Sequence, residues 1–118
     1  MKKKTHTAAI MSVRLSALLA LLTGLAFWAD IGALPVHLHM TLGIVLVLCA
    51  WWLAGLGSRA QPGRAAVLAL LALLVPVVGI MQLAGPLFGN LGLTRVVHVV
   101  LALLTTGVAE MLNKRLRA

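Results

Sequence analysis

The stretch VHLHMTLGIVLVLCAWWLAGL, residues 36–56, contains no aspartate, glutamate, lysine or arginine. A transmembrane helix needs about 20 consecutive, mostly apolar residues, because each residue advances the helix by about 1.5 Å across a hydrocarbon core of about 30 Å. This stretch has the required length and composition. It therefore predicts a helix that crosses a lipid bilayer, with two histidines close to its start.

Three further stretches have the same apolar character, at residues 10–29, 65–84 and 91–112. The segments between the four stretches are rich in glycine and proline, which is typical of short connecting loops. Hydrophobic residues make up 62% of the 118-residue chain, far more than an ordinary soluble domain contains. Backbone polar groups in lipid must be satisfied within each segment, so helices are expected. The sequence thus predicts an all-α fold, a single transmembrane domain over residues 1–118 that forms a four-helix up-down bundle.

The formal net charge of +8 reflects basic residues at the ends of the apolar stretches. They do not form one basic face and no aromatic residues alternate with them, which argues against nucleic-acid binding. Under the positive-inside rule, nine of the ten basic residues place both termini in the cytoplasm, as expected in the bacterial cytoplasmic (inner) membrane. Arg95 is the exception. Arg14 is expected to extend its side chain towards the interface, and Glu110 to pair with Lys114 four residues later.

Residues 1–26 also have the layout of a signal peptide, with a lysine-rich start, an apolar middle and GLA at positions 24–26. Phe27 and Trp28 extend the apolar stretch to spanning length and suit an interfacial anchor. These residues favour a retained first helix, and cleavage stays the alternative.

His37 and His39 cannot both face the centre of the bundle, because residues two apart on a helix differ by about 200° in direction. The face of His37 carries bulky residues that suit lipid: Thr41, Ile44, Leu48 and Trp52. The face of His39 carries mostly small residues, which suit close approach: Gly43, Leu46, Ala50, Ala54 and Gly57. His98 shares a similar stripe on helix four and lies at a similar depth. Helices two and four are diagonal in an up-down bundle, so His39 and His98 are predicted to face each other.

Arg95 lies about one turn from His98 on the same helix face. A charge at such a depth needs an anionic partner, which would be Asp30 or a carboxylate of a bound group. Gln82, near the external end of helix three, could hydrogen-bond the same carboxylate or an imidazole. Arg95, His98 and Gln82 form a candidate binding site together with His39.

The segments HMTLG (39–43) and TRVVHVVLALL (94–104) resemble small bacterial four-helix membrane proteins of the cytochrome b561-like kind. The resemblance implies haem b held between His39 and His98 as axial ligands, with Gly43 beside the haem and Arg95 and Gln82 near the propionates. Larger cytochromes of this kind carry two histidine pairs. This chain has no histidine in the cytoplasmic half of the predicted bundle, so one haem near the external face is expected.

The favoured interpretation is a small membrane b-type cytochrome that exchanges electrons with a quinol, a redox partner or a larger membrane complex. The sequence favours an electron-transfer or accessory protein over a stand-alone enzyme without deciding between them, because no serine has a histidine and a carboxylate at matching depth. The alternative is a non-redox structural or assembly subunit whose histidines only hydrogen-bond neighbouring helices. A metal site built from His37, His39, Asp30 and His98 is a third interpretation, although zinc needs three or four converging ligands.

Overall fold

A computed structural model of the chain describes residues 2–29, 36–84, 89 and 91–117. These residues form four α-helices: α1 Lys2–Trp28, α2 Val36–Gly57, α3 Pro62–Ala84 and α4 Leu91–Arg117. No strand occurs in the part of the chain that the structure describes. The prediction of an all-α fold with four helices is confirmed.

At the ends that carry basic residues, α1, α3 and α4 extend beyond the apolar stretches that the sequence defines. α1 begins at Lys2 rather than at residue 10, and α4 ends at Arg117 rather than at residue 112. Lysine and arginine are good helix formers, so both helices continue through the basic segments. α3 begins at Pro62 rather than at residue 65, and proline suits the first position of a helix because a backbone N–H group, which proline lacks, is not needed there.

Each helix contains a segment long and apolar enough to cross a membrane: Lys4–Trp28, Val36–Gly57, Pro62–Gln82 and Gly92–Leu116. The outer surface of the bundle is apolar as well. Leu15, Leu48 and Leu70 are 60%, 58% and 58% exposed, and they belong to a large set of exposed apolar side chains. Apolar surface of this extent marks contact with lipid rather than water. The chain has the helices and the surface of a multi-pass membrane protein.

Each helix packs against the next one in the chain, and α1 also packs against α4. α2 and α4 contact each other across the bundle, whereas the described residues of α1 and α3 do not. The bundle therefore has a rhombic cross-section whose short diagonal joins α2 and α4. The prediction that these two helices oppose each other is confirmed.

The two ends of the bundle are packed differently. We call the end where α1 and α3 begin and α2 and α4 finish the terminal end, and the opposite one the hairpin end. The buried core cluster extends from the terminal end towards the middle: Ala9, Ile10, Val13, Leu46, Ala50, Leu53, Ala54, Ala65, Leu68, Ala72, Ala109 and Leu112. A Cβ atom at Gly57 would lie 2.9 Å from Cδ1 of Leu112, so glycine lets α4 approach α2 closely here.

An ion pair joins α1 to α4 and corrects two sequence-based expectations. The Nε and Nη2 atoms of Arg14 donate hydrogen bonds to the two carboxylate oxygens of Glu110, at 2.5 and 2.8 Å. Arg14 is therefore held by a neighbouring helix, and Glu110 pairs with Arg14 rather than with Lys114. The guanidinium group offers the carboxylate a two-pronged partner, which the ammonium group of Lys114 cannot. Helix spacing alone does not reveal a partner on another helix.

The ion pair between Arg14 and Glu110 should stabilise the folded chain, and the effect should depend on having opposite charges at the two positions. We expect Glu110→Gln to lower the thermal unfolding midpoint in detergent, because it leaves Arg14 without its carboxylate. The exchanged pair, Arg14→Glu with Glu110→Arg, should recover most of the loss. Circular dichroism measures the midpoint, with Lys114→Gln as the control that should change little. Equal losses in Lys114→Gln and Glu110→Gln would favour the intrahelical pair instead.

Candidate functional site

His39 and His98 face each other in the hairpin half of the bundle. Their ring centroids are 6.2 Å apart, and their ring planes are inclined by 72°. His37, in contrast, is exposed on the outer surface, as are the bulky residues that share its face. His6 lies near the terminal end of α1, at the other end of the molecule. The sequence-based choice of His39 over His37 as the inward-facing histidine is confirmed.

Two glycines make room for the two imidazoles. A Cβ atom at Gly24 on α1 would lie 3.1 Å from Cε1 of His39, and one at Gly79 on α3 would lie 3.0 Å from Cε1 of His98. Both distances are shorter than ordinary van der Waals contact, so a side chain at either position would push the ring aside. Each histidine thus packs against a glycine of the preceding helix. The sequence analysis missed both glycines, since their partners lie on other helices.

The surroundings of the two rings differ. Nδ1 of His39 lies 2.8 Å from the hydroxyl oxygen of Thr23, and the Phe27 ring packs edge-on against His39 with a centroid distance of 5.7 Å. Nδ1 of His98 is buried and has no hydrogen-bond partner among the described residues. The hydroxyl contact at Nδ1 of His39 therefore has no counterpart at Nδ1 of His98. The sequence suggested an interfacial anchor for Phe27, whereas its ring packs on His39 at the cavity wall. Thr23 gave no signal in the sequence, because threonine is an ordinary residue of membrane helices.

The two histidines border a cavity of about 280 Å³ that all four helices line. The predicted site residues Gly43, Gln82 and Arg95 lie on its wall. A Cβ atom at Gly43 would meet no atom within 4 Å, so Gly43 faces open space and not a neighbouring helix. Asp30, the predicted alternative partner of Arg95, lies outside the described residues. The structure thus brings His39, His98, Arg95, Gln82 and Gly43 to one cavity.

A site for a bare metal ion is not supported. Within the described ranges, no group of three or more histidine, cysteine, aspartate or glutamate side chains lies close enough to hold one ion. His37 points away from the cavity, which removes one of the ligands in the zinc interpretation. The arrangement offers two opposed nitrogen donors, a guanidinium group and apolar walls. This chemistry suits a flat cofactor with a metal centre and carboxylate groups.

Comparisons of the chain with family models, curated proteins and solved structures give no match.

Proposed function

We propose that the chain is a small integral membrane b-type cytochrome that binds one haem b between His39 and His98. The observation that carries the proposal is the distance of 6.2 Å between the two ring centroids. Two imidazoles that bind one metal ion from opposite sides have centroids about 6 Å apart, because each metal–nitrogen bond is about 2 Å long and each nitrogen lies about 1 Å from its ring centroid.

The remaining wall of the cavity suits the edges of a haem. Gly43 leaves open space beside His39, and apolar side chains such as Leu21 and Val99 line the cavity with it. Arg95 supplies a guanidinium group, which binds carboxylates with two parallel hydrogen bonds and is therefore the expected partner of a propionate. Gln82 adds amide groups that can donate to the same carboxylate or accept from it. Polar and apolar groups are thus both available within one cavity.

The cavity volume requires some movement of the helices. About 280 Å³ lies just below the range of roughly 300–1,000 Å³ that is typical of small-molecule sites, and haem is a large ligand. The hairpin ends of α1 and α3 would therefore have to move outwards when haem enters, because the spacing of His39 and His98 already suits one bound iron. The core cluster extends from the terminal end and shares only Leu46 with the cavity wall, so spreading at the hairpin end disturbs few buried contacts.

A bound haem would supply one-electron exchange between ferric and ferrous iron. The protein side chains would hold and orient it: His39 and His98 as axial ligands, and Arg95 at the propionates. The apolar wall would exclude water and thereby tune the reduction potential. With one haem in one half of the bundle, the chain would pass electrons to or from a quinol, a redox protein or another membrane subunit on that side.

The orientation in the membrane belongs to the same proposal. The distribution of basic residues favours the terminal end in the cytoplasm and the hairpin end outside, in the inner membrane of a bacterium. The haem would then lie near the external face. A reporter enzyme that works only in the cytoplasm should be active when it is fused after Ala118, and a reporter that works only outside should be inactive. Activity on the external side would reverse this orientation and leave the histidine pair unaffected.

An absorption spectrum of the purified protein tests the cytochrome proposal directly. Protein expressed with an adequate haem supply should show the Soret band and, after dithionite reduction, the α band of six-coordinate haem b. Haem quantification should approach one haem per chain. Folded protein without these bands, even after haem is added to the detergent-solubilised chain, would overturn the proposal and favour the structural or assembly subunit.

Filling the cavity should prevent haem binding without unfolding the chain. We expect Gly43→Leu to reduce the haem content at least about tenfold, which corresponds to about 1.4 kcal/mol of binding free energy. Helical circular dichroism should be unchanged, because a side chain at Gly43 enters open space. Gly55→Leu is the matched control: it lies on the same helix, is exposed and meets no atom within 4 Å. Full haem content in Gly43→Leu would place the ligand elsewhere.

A further inference from the structure

Thr23 is the polar neighbour of His39 and lies in a short chain of hydrogen-bonding groups. Its hydroxyl oxygen lies 2.8 Å from Nδ1 of His39, 2.9 Å from the carbonyl oxygen of Leu19 and 3.0 Å from the carbonyl oxygen of Ala20. The two carbonyl oxygens can only accept hydrogen bonds. The threonine hydroxyl has one proton to donate and two lone pairs that accept.

Two arrangements of the hydroxyl proton are compatible with these distances. When the hydroxyl proton points to the α1 carbonyls, the lone pairs of Thr23 face His39 and can accept a proton from Nδ1. The neutral imidazole of His39 then carries its proton on Nδ1, and Nε2 keeps a free lone pair. The opposite arrangement places the imidazole proton on Nε2, so that Thr23 donates to Nδ1 and neither nitrogen is free to bind a metal. The two α1 carbonyls accept backbone N–H groups of the helix in both arrangements, so the first is distinguished because it leaves His39 with a ligand atom.

We propose that Thr23 is a positioning residue that holds His39 in the Nδ1-protonated tautomer and so presents Nε2 as the ligand atom. The proposal rests on the haem function for the use of that atom, whereas the tautomer itself is a property of the protein without haem. Nδ1 of His98, in contrast, is buried without a hydrogen-bond partner in the described chain. The two imidazoles therefore differ at Nδ1, where only His39 has a hydroxyl neighbour.

Nitrogen NMR of the haem-free protein tests the tautomer. Protein labelled with ¹⁵N-histidine is measured in detergent about two pH units above the ordinary histidine pKa of about 6.5, so that the imidazoles are neutral. The His39 signals are assigned by their loss in His39→Gln. We expect the Nδ1-protonated form in the wild type and in Thr23→Ser, which keeps the hydroxyl. Thr23→Val, which has nearly the same shape, should move His39 towards the Nε2-protonated form that free histidine favours.

The matched control is Thr106→Val. The Thr106 hydroxyl donates to the Ala102 carbonyl at 3.0 Å on its own helix and touches neither histidine, so its loss should leave the His39 signals unchanged. A wild type that is mainly Nε2-protonated at His39 would overturn the proposal. So would a Thr23→Val variant whose His39 signals match the wild type. Should Thr23→Val fail to fold, the wild-type and Thr23→Ser spectra decide the question alone.

Redox titration of the haem-loaded protein provides the second measurement. A hydrogen bond from Nδ1–H to Thr23 makes the imidazole a better electron donor, which stabilises ferric iron. Thr23→Val should therefore raise the reduction potential, while Thr23→Ser and Thr106→Val stay near the wild type. An unchanged potential in Thr23→Val would contradict the role at the haem. Absence of haem from the wild type would overturn the cytochrome function but would leave the NMR result as the test of Thr23.

Discussion

Replacing either His39 or His98 with alanine is expected to remove the α band of six-coordinate haem and to reduce the haem content at least about tenfold, or about 1.4 kcal/mol of binding free energy. The two rings are the opposed nitrogen donors of the cavity, and their centroids are 6.2 Å apart. In the proposed cytochrome, loss of one ring would remove one of the two imidazole ligands. The measurement is the reduced absorption spectrum with haem quantification at matched protein concentration.

The chain contains two matched controls for this prediction. His37 lies two residues from His39 on the same helix but is exposed on the outer surface, and His6 lies towards the terminal end of α1. His37→Ala and His6→Ala should keep the full spectrum. A His98→Ala variant that keeps the six-coordinate spectrum would refute the proposed ligation of haem by His39 and His98. Loss of the spectrum in His37→Ala, with normal folding, would refute the assignment of His39 as the ligand.

Leu112→Ala is expected to destabilise the bundle by about 2 kcal/mol or more, as measured by unfolding in a mixed-detergent titration. Leu112 is fully buried and packs on Gly57, where glycine lets α4 approach α2 closely. Helix association in membranes depends on van der Waals packing, because lipid is as apolar as leucine and no hydrophobic driving force remains. A cavity at this contact therefore removes interactions that lipid cannot replace.

Leu103→Ala is the control for the packing prediction. Leu103 is on the same helix and is 55% exposed, so lipid contacts it in the folded and the unfolded chain alike. Its replacement should change the free energy of unfolding by less than about 0.5 kcal/mol. Equal effects of the two variants would show that helix propensity, and not packing at the terminal end, determines stability.

The rotational positions of the histidines could be predicted from the sequence, because small and bulky residues separate onto two faces of α2. The placement of His37 outside and His39 inside follows from that separation alone. The diagonal relation of α2 and α4 follows from the even number of spans and the short loops. These features depend on periodicity within single helices and on topology, both of which one sequence contains.

The contacts between helices could not be predicted in the same way. Gly24 and Gly79 matter because of the imidazoles that pack on them, and Thr23 matters because of one hydrogen bond to His39. Each of these contacts depends on the relative rotation and axial shift of two helices. Glu110 shows the same limit, since Lys114 is the nearest basic partner along α4 and Arg14 is the partner in space.

The unequal packing of the two ends has a consequence for the order in which the protein is assembled in a cell. The core cluster and the cavity wall share only Leu46 within the described chain, so most buried contacts of the terminal end lie outside the proposed haem site. In the proposed cytochrome, membrane insertion and packing of the terminal end would therefore be separate from haem loading. A cell short of haem would then keep a stock of apoprotein in its membrane, which haem could activate without new translation.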